Sequence, residues 1–89
     1  HPNIVKLYGV LETPKAMVLE YVGGGDLFEL LHPAEATNGK SKPLEQKDIS
    51  WTRRLTYIYN IASGLSYLQS MTPPIVHRDL RSPNIFVCI

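Results

Sequence analysis

Cysteine is nearly absent from this sequence. Cys88 is the only thiol, so no internal disulfide braces the chain, and a reducing compartment, the cytoplasm, is the expected setting. An excess of one charge is missing as well. Nine Lys and Arg stand against eight Asp and Glu, a formal net charge of +1. With no block of like charges, the sequence has no electrostatic footprint for nucleic acid or for an anionic membrane surface. No apolar run approaches the roughly 18 residues of a membrane span, and no repeat or low-complexity tract is present. An initiating Met and a charged-then-apolar leader are also missing. The chain opens on His1-Pro2-Asn3 and stops inside the apolar run Phe86-Val87-Cys88-Ile89, so both ends read as cut. What remains is the composition of a globular domain, 89 residues with 44% hydrophobic and 19% charged.

The apolar pattern divides that length into elements. Ile4 to Leu11 and Met17 to Val22 are β-branched or apolar almost throughout, with Thr13-Pro14-Lys15 between them, which predicts an antiparallel hairpin. Gly23-Gly24-Gly25 ends the second strand. Asp26, with Glu29 three residues later, has the form of a capping box opening a short helix over Leu27 to Leu31. From His32 to Asp48 the chain is polar, carries Pro33, Pro43 and Asn38-Gly39, and shows no period, so a surface loop is expected. Trp51, Leu55, Ile58, Ile61, Ala62, Leu65 and Leu68 then recur at spacings of three and four, one face of a long helix with Asp48 or Ser50 as its cap. Trp51, Tyr57, Tyr59 and Tyr67 lie on or beside that stripe, and core packing is their expected role. Pro73-Pro74 ends the helix. A loop from His77 to Asn84 leads to a last expected strand, Ile85 to Cys88. The fold class is α+β.

One stretch carries chemistry. His77-Arg78-Asp79-Leu80-Arg81-Ser82-Pro83-Asn84 has the spacing His-Arg-Asp-Leu-x-x-x-Asn and so resembles the protein-kinase catalytic loop. At about one in twenty per specified residue, five such matches arise by chance in a chain this short at a rate on the order of 10⁻⁵. Moving a γ-phosphoryl group requires a carboxylate to accept the attacking hydroxyl's proton and, a few residues on, an oxygen ligand for Mg²⁺. Asp79 and Asn84 have the right chemistry for those two tasks. A loop anchored between a helix and a strand is able to aim both at one point.

The whole segment resembles the middle of a protein kinase catalytic domain. His1-Pro2-Asn3-Ile4-Val5 resembles the turn entering the fourth strand of that fold, and Met17-Val18-Leu19-Glu20-Tyr21-Val22 its fifth strand and hinge. Gly23-Gly24-Gly25-Asp26-Leu27 resembles the entry to the helix after the hinge. Ile61-Ala62-Ser63-Gly64-Leu65-Ser66-Tyr67-Leu68 resembles the helix before the catalytic loop. Trp51-Thr52-Arg53-Arg54-Leu55 and the run from Pro74 to Phe86 are most similar to the tyrosine-kinase-like group, and within it to Roco (leucine-rich-repeat) kinases. The resemblance implies a protein-kinase-like fold fragment in which residues 1–22 close the N-terminal lobe and form the hinge. Residues 23–89 then begin the C-terminal lobe and run through the catalytic loop.

The resemblance also implies roles. Leu19 takes the gatekeeper position, the backbone carbonyl of Glu20 and both backbone groups of Val22 face the adenine edge, and Phe86 lies beneath the ring. Leu19 and Val22 are also what any buried strand contains. Asp26 stands where a ribose contact is expected, although its spacing to Glu29 already accounts for it as a helix cap. Asp79 is the catalytic proton acceptor, Asn84 the Mg²⁺ ligand, and Arg78 the arginine that pairs with a phosphorylated activation loop. His77 is a packing residue alongside Leu7 rather than a base. Arg81 stands where many Ser/Thr kinases carry a phosphate-contacting lysine. Arginine there also neutralises the γ-phosphate, but because some tyrosine kinases share it, it does not separate acceptors. Pro83 stiffens the loop before Asn84, and Cys88 is structural.

The sequence holds no glycine-rich Gly-x-Gly-x-x-Gly, no Val-Ala-Ile-Lys-type lysine with its helix glutamate, no Asp-Phe-Gly and no Ala-Pro-Glu. Kinase catalysis is positioning and electrostatics by all these groups at once. The 89 residues by themselves are therefore expected to be inactive, with uncovered apolar faces. The function implied is an ATP- and Mg²⁺-dependent protein kinase acting on a protein substrate, Ser/Thr favoured over Tyr by group resemblance. The alternative is a pseudokinase or truncated kinase-like module that serves regulation or binding, against which the intact Asp79 and Asn84 argue. An unrelated small α+β interaction domain is the third reading.

Overall fold

The computed structural model describes residues 1–33 and 49–88. Most of the expected His32 to Asp48 loop, the Asp48 cap and Ile89 lie outside the described residues. Two compact units form, His1–Tyr21 with Trp51–His77, and Val22–Ser50 with Arg78–Ile89.

In the first unit, β1 (Leu7–Glu12) and β2 (Lys15–Leu19) pair antiparallel across a Thr13-Pro14 connection. Glu12 faces Lys15 beside the turn, an opposite-charge pair that favours this register. Gly9 pairs with Val18 and Leu7 with Leu19, so Tyr8 is an extra residue and β1 is bulged there. Lys6 Nζ sits 5.3 Å above the Tyr8 ring. Both strands start and end nearer the turn than the apolar runs predict, and hydrogen bonds supply the reason. Glu20 N–H donates to Lys6 O at 2.8 Å, whereas Lys6 N–H donates to the Glu20 side-chain Oε2 at 3.1 Å. A carboxylate has replaced a backbone carbonyl as the next acceptor, so the ladder stops there. Upstream, Ile4 N–H donates to His1 O, which makes the entry a turn.

The α-helix α2 (Trp51–Ser70) is the long helix that the spacing predicts. Its end is closed by Met71 N–H and Ile75 N–H, both donating to Leu68 O, at 3.3 and 3.0 Å. Gly64 is the one buried residue among those described. A Cβ on it would lie 3.1 Å from Asn3 O, so the absent side chain admits the first turn of the chain against the helix. His1 adds its ring against Tyr67 at 5.0 Å and its Nε2 at 3.4 Å from Ser63 Oγ. The expected burial of the stripe does not hold along its length. Ile61, Leu65 and Leu68 are half-buried, while Trp51 is 76% exposed and Tyr59 74%. Core packing for the aromatics is thus corrected for Trp51, Tyr59 and Tyr67, all exposed; Trp51 instead stacks under the Arg54 guanidinium at 5.7 Å. A hydrophobic period names the face that favours burial and says nothing of what covers it.

In the second unit, α1 (Leu27–Leu31) starts at Asp26, whose Oδ1 accepts from Glu29 N–H at 2.8 Å, the forward half of the expected capping box. His32 ends it, donating its N–H to Phe28 O at 2.8 Å and stacking on the Phe28 ring. Ser82–Asn84 form a 3-10 turn with Pro83 in its first residues. The expected strand from Ile85 to Cys88 is corrected to a single antiparallel bridge, Asp26 to Phe86. The ladder extends in neither direction, because Leu27 opposite Ile85 is helix and Gly25 opposite Val87 leaves the extended region at φ +76°.

Candidate active site

Arg78 to Asn84 folds as a tight loop. Arg78 adopts φ +70°, the left-handed region that costs a bulky L-residue roughly 1–2 kcal/mol, directly before Asp79. Backbone strain of this kind concentrates at functional loops, where the surrounding structure enforces it. Arg81 is extended and exposed, and the turn that follows is closed by Asn84 N–H to Arg81 O at 2.9 Å and Ile85 N–H to Ser82 O at 3.2 Å. That turn brings Asn84 back to Asp79. One side-chain nitrogen, Nδ2, donates to Asp79 O at 3.0 Å and to Asp79 Oδ2 at 2.8 Å. The backbone and the carboxylate of Asp79 are therefore held by the same group, which fixes the direction of the carboxylate.

With its nitrogen spent on Asp79, Asn84 has its amide oxygen left as the donor atom for a cation. Amide oxygen is a hard ligand suited to Mg²⁺, which takes few protein donors and completes its shell with phosphate and water. Among the described residues no group of three or more His, Cys, Asp or Glu is placed to hold a metal ion.

The other sequence-predicted residues fall in two places. Leu19 ends β2 opposite Leu7 and is 49% exposed; Glu20 follows, its N–H and its carboxylate both engaged with the Lys6 backbone. These two belong to the first unit. Val22, Asp26, Asp79, Arg81, Asn84 and Phe86 belong to the second. No backbone hydrogen bond engages Val22 among the described residues, whereas Asp26 already serves as helix cap. Phe86 is 52% exposed, and its backbone is bracketed by Leu27 N–H to Ile85 O at 2.7 Å and Val87 N–H to Gly25 O at 2.9 Å.

Sequence reasoning missed two participants. Glu20 was read only for its carbonyl, and nothing in strand propensity signals that its side chain caps the hairpin ladder. The glycine run ends a strand and leads into the helix after the hinge on the sequence reading, which does not single out Gly24, although three adjacent glycines are themselves a sign of close backbone approach.

Comparison with known proteins places this loop in context. The chain matches the family described as protein tyrosine and serine/threonine kinase over residues 1–88. It is 48% identical over 87 residues to the probable serine/threonine-protein kinase qkgA of Dictyostelium discoideum, covering 98% of this chain and 5% of that protein. It is 44% identical over 87 residues to the probable serine/threonine-protein kinase roco11 of the same organism, again 98% and 5%. Against the serine/threonine-protein kinase CTR1 of Arabidopsis thaliana the identity is 45% over 89 residues, covering 98% of this chain and 10% of that protein. The chain thus spans a tenth or less of the length of these relatives. The match runs from the hairpin through the loop in which Asn84 holds Asp79, and on that ground the chain belongs to the protein tyrosine and serine/threonine kinase family.

Proposed function

We propose that this chain supplies the hinge and catalytic loop of an ATP- and Mg²⁺-dependent protein kinase of the Roco type, working in the cytoplasm on Ser or Thr of a protein substrate. The observation that carries the reading is the double hydrogen bond from Asn84 Nδ2 to Asp79. It orients a carboxylate toward an incoming hydroxyl and leaves one amide oxygen for a cation, the two requirements of phosphoryl transfer. In the step itself the substrate hydroxyl oxygen bonds to the γ-phosphorus and the bond from phosphorus to the β,γ-bridging oxygen breaks. ADP leaves, and the hydroxyl proton passes to the Asp79 carboxylate. Mg²⁺, when bound, offsets the phosphate charge, and Asn84 is the residue here that would hold it. Arg81 adds a fixed positive charge toward the γ-phosphate. Leu19, the Glu20 carbonyl, Val22 and Phe86 bind and orient the adenine, with Asp26 at the ribose. The Ser/Thr preference follows the names of the similar proteins.

The groups that hold the α- and β-phosphates are not among these 89 residues, so the chain alone is inactive and the test requires the full-length protein. Full-length wild type should transfer phosphate from Mg·ATP to Ser/Thr peptides in preference to Tyr peptides. Asp79→Asn should lower kcat by about 10²- to 10⁴-fold with little change in ATP affinity. Near-normal kcat in that variant would remove Asp79 from the role of proton acceptor.

A further inference from the structure

Gly24 lies closer to the backbone of Val87 than any side chain allows. A Cβ built on Gly24 would come within 2.8 Å of the Val87 carbonyl carbon, closer still to its oxygen, and within 3.5 Å of the Cys88 carbonyl carbon. All three atoms are main chain, so no rotamer change relieves the overlap, unlike at Gly25, where the neighbour is the mobile end of Glu29. Immediately beside this contact the two segments are zipped. Val87 N–H donates to Gly25 O, Asp26 bridges Phe86, and Leu27 N–H donates to Ile85 O, so the backbone of Phe86 is held on both sides.

We propose that Gly24 is a positioning residue for nucleotide: by having no side chain, it lets residues 24–27 lie against 85–87 and so sets Phe86 under the adenine before ATP arrives. The inference rests on the kinase reading above and extends it to a residue that touches no substrate atom. Phe86 serves the base and not the reacting phosphate, and the Ser82–Asn84 turn shares only Ile85 with the zip, while the bonds from Asn84 to Asp79 lie outside it. A displaced Phe86 should therefore weaken binding of ground state and transition state alike, which raises KM and leaves kcat.

The test uses the full-length kinase with Mg·ATP. Gly24→Ala should raise the ATP KM at least about tenfold with kcat within about threefold of wild type, since sub-ångström misplacement is felt strongly in such sites. Gly9→Ala, whose Cβ meets nothing within 4 Å, should leave both constants unchanged. A Gly24→Ala enzyme with wild-type KM, or one in which kcat falls with the folded fraction while KM holds, overturns the proposal. Should Gly24→Ala not fold, amide hydrogen exchange of the nucleotide-free wild type decides. Leu27 and Val87 amides should already be protected. Exchange as fast as in exposed loops, slowing only when Mg·ATP is added, overturns the proposal. A wild type that binds no Mg·ATP at all brings down the kinase reading itself, a failure distinct from these.

Discussion

Asn84 holds Asp79 with one end of its amide and offers the other as a proposed cation ligand, and the two ends are separable by experiment. The nitrogen holds Asp79 through O and Oδ2, and the oxygen is the candidate ligand for Mg²⁺. Asn84→Ala in the full-length kinase should therefore lower kcat and shift the Mg²⁺ dependence to higher concentration, yet saturating metal should restore only part of the rate, because metal does not re-orient Asp79. Complete rescue by Mg²⁺ would mean that the bonds to Asp79 are incidental, and a defect with no metal dependence would take Asn84 out of the cation site. The spacing alone puts both residues forward as candidates. Their contact is not legible there, because a separation of five residues becomes a 2.8 Å hydrogen bond only where the chain turns back, here through the 3-10 turn at Ser82–Asn84.

At the level of elements, α1 and β2 each yield a prediction. The five residues of α1 are too few to stand alone, and the bond from Glu29 N–H to Asp26 satisfies one of its orphan donors. Asp26→Ala should cost about 1 kcal/mol and lower the Tm of the full-length protein, and Asp26→Ser, which keeps a capping oxygen, should recover most of it. The ATP KM reports the second role: a rise that Ser does not repair marks a ribose contact, and an unchanged KM leaves Asp26 as a cap only. In β2, Leu19→Gly tests the gatekeeper position. Bulky N6-substituted ATP analogues should bind the full-length variant at least about tenfold better than wild type, about 1.4 kcal/mol. With 49% of Leu19 exposed, the stability lost should be smaller than the roughly 2–5 kcal/mol of a core Leu→Ala. Lost stability without that selective gain would make Leu19 ordinary strand packing.

For the whole molecule, composition and burial point in different directions. A sequence with 44% hydrophobic residues has enough apolar side chains for a core, yet no described hydrophobic residue is buried, and Val10, Met17, Leu55, Ile58 and Trp51 are each at least 60% exposed. Exposed apolar surface on that scale drives association. The 89-residue chain purified alone should self-associate, bind a hydrophobic dye such as ANS and release no ADP from Mg·ATP above background. A monomer with a sharp, cooperative unfolding transition would contradict the first two expectations, and turnover abolished by Asp79→Ala would contradict the third.

The sequence by itself determined what depends on neighbours along the chain. It set the Asp26 cap, the period of α2, the hairpin about Thr13-Pro14 and the Asp79–Asn84 spacing, since each is written within a few residues and follows backbone geometry alone. Tertiary structure decided what depends on groups remote in sequence. It stopped the hairpin where the Glu20 carboxylate reaches Lys6, reduced Ile85–Cys88 to one bridge, and set Gly24 apart from the adjacent Gly25 by placing the Val87 backbone against it. Strand propensity and a glycine run give the conformations a segment tolerates; which of them is used is fixed by the hydrogen-bond acceptors and excluded volume that the rest of the fold places alongside.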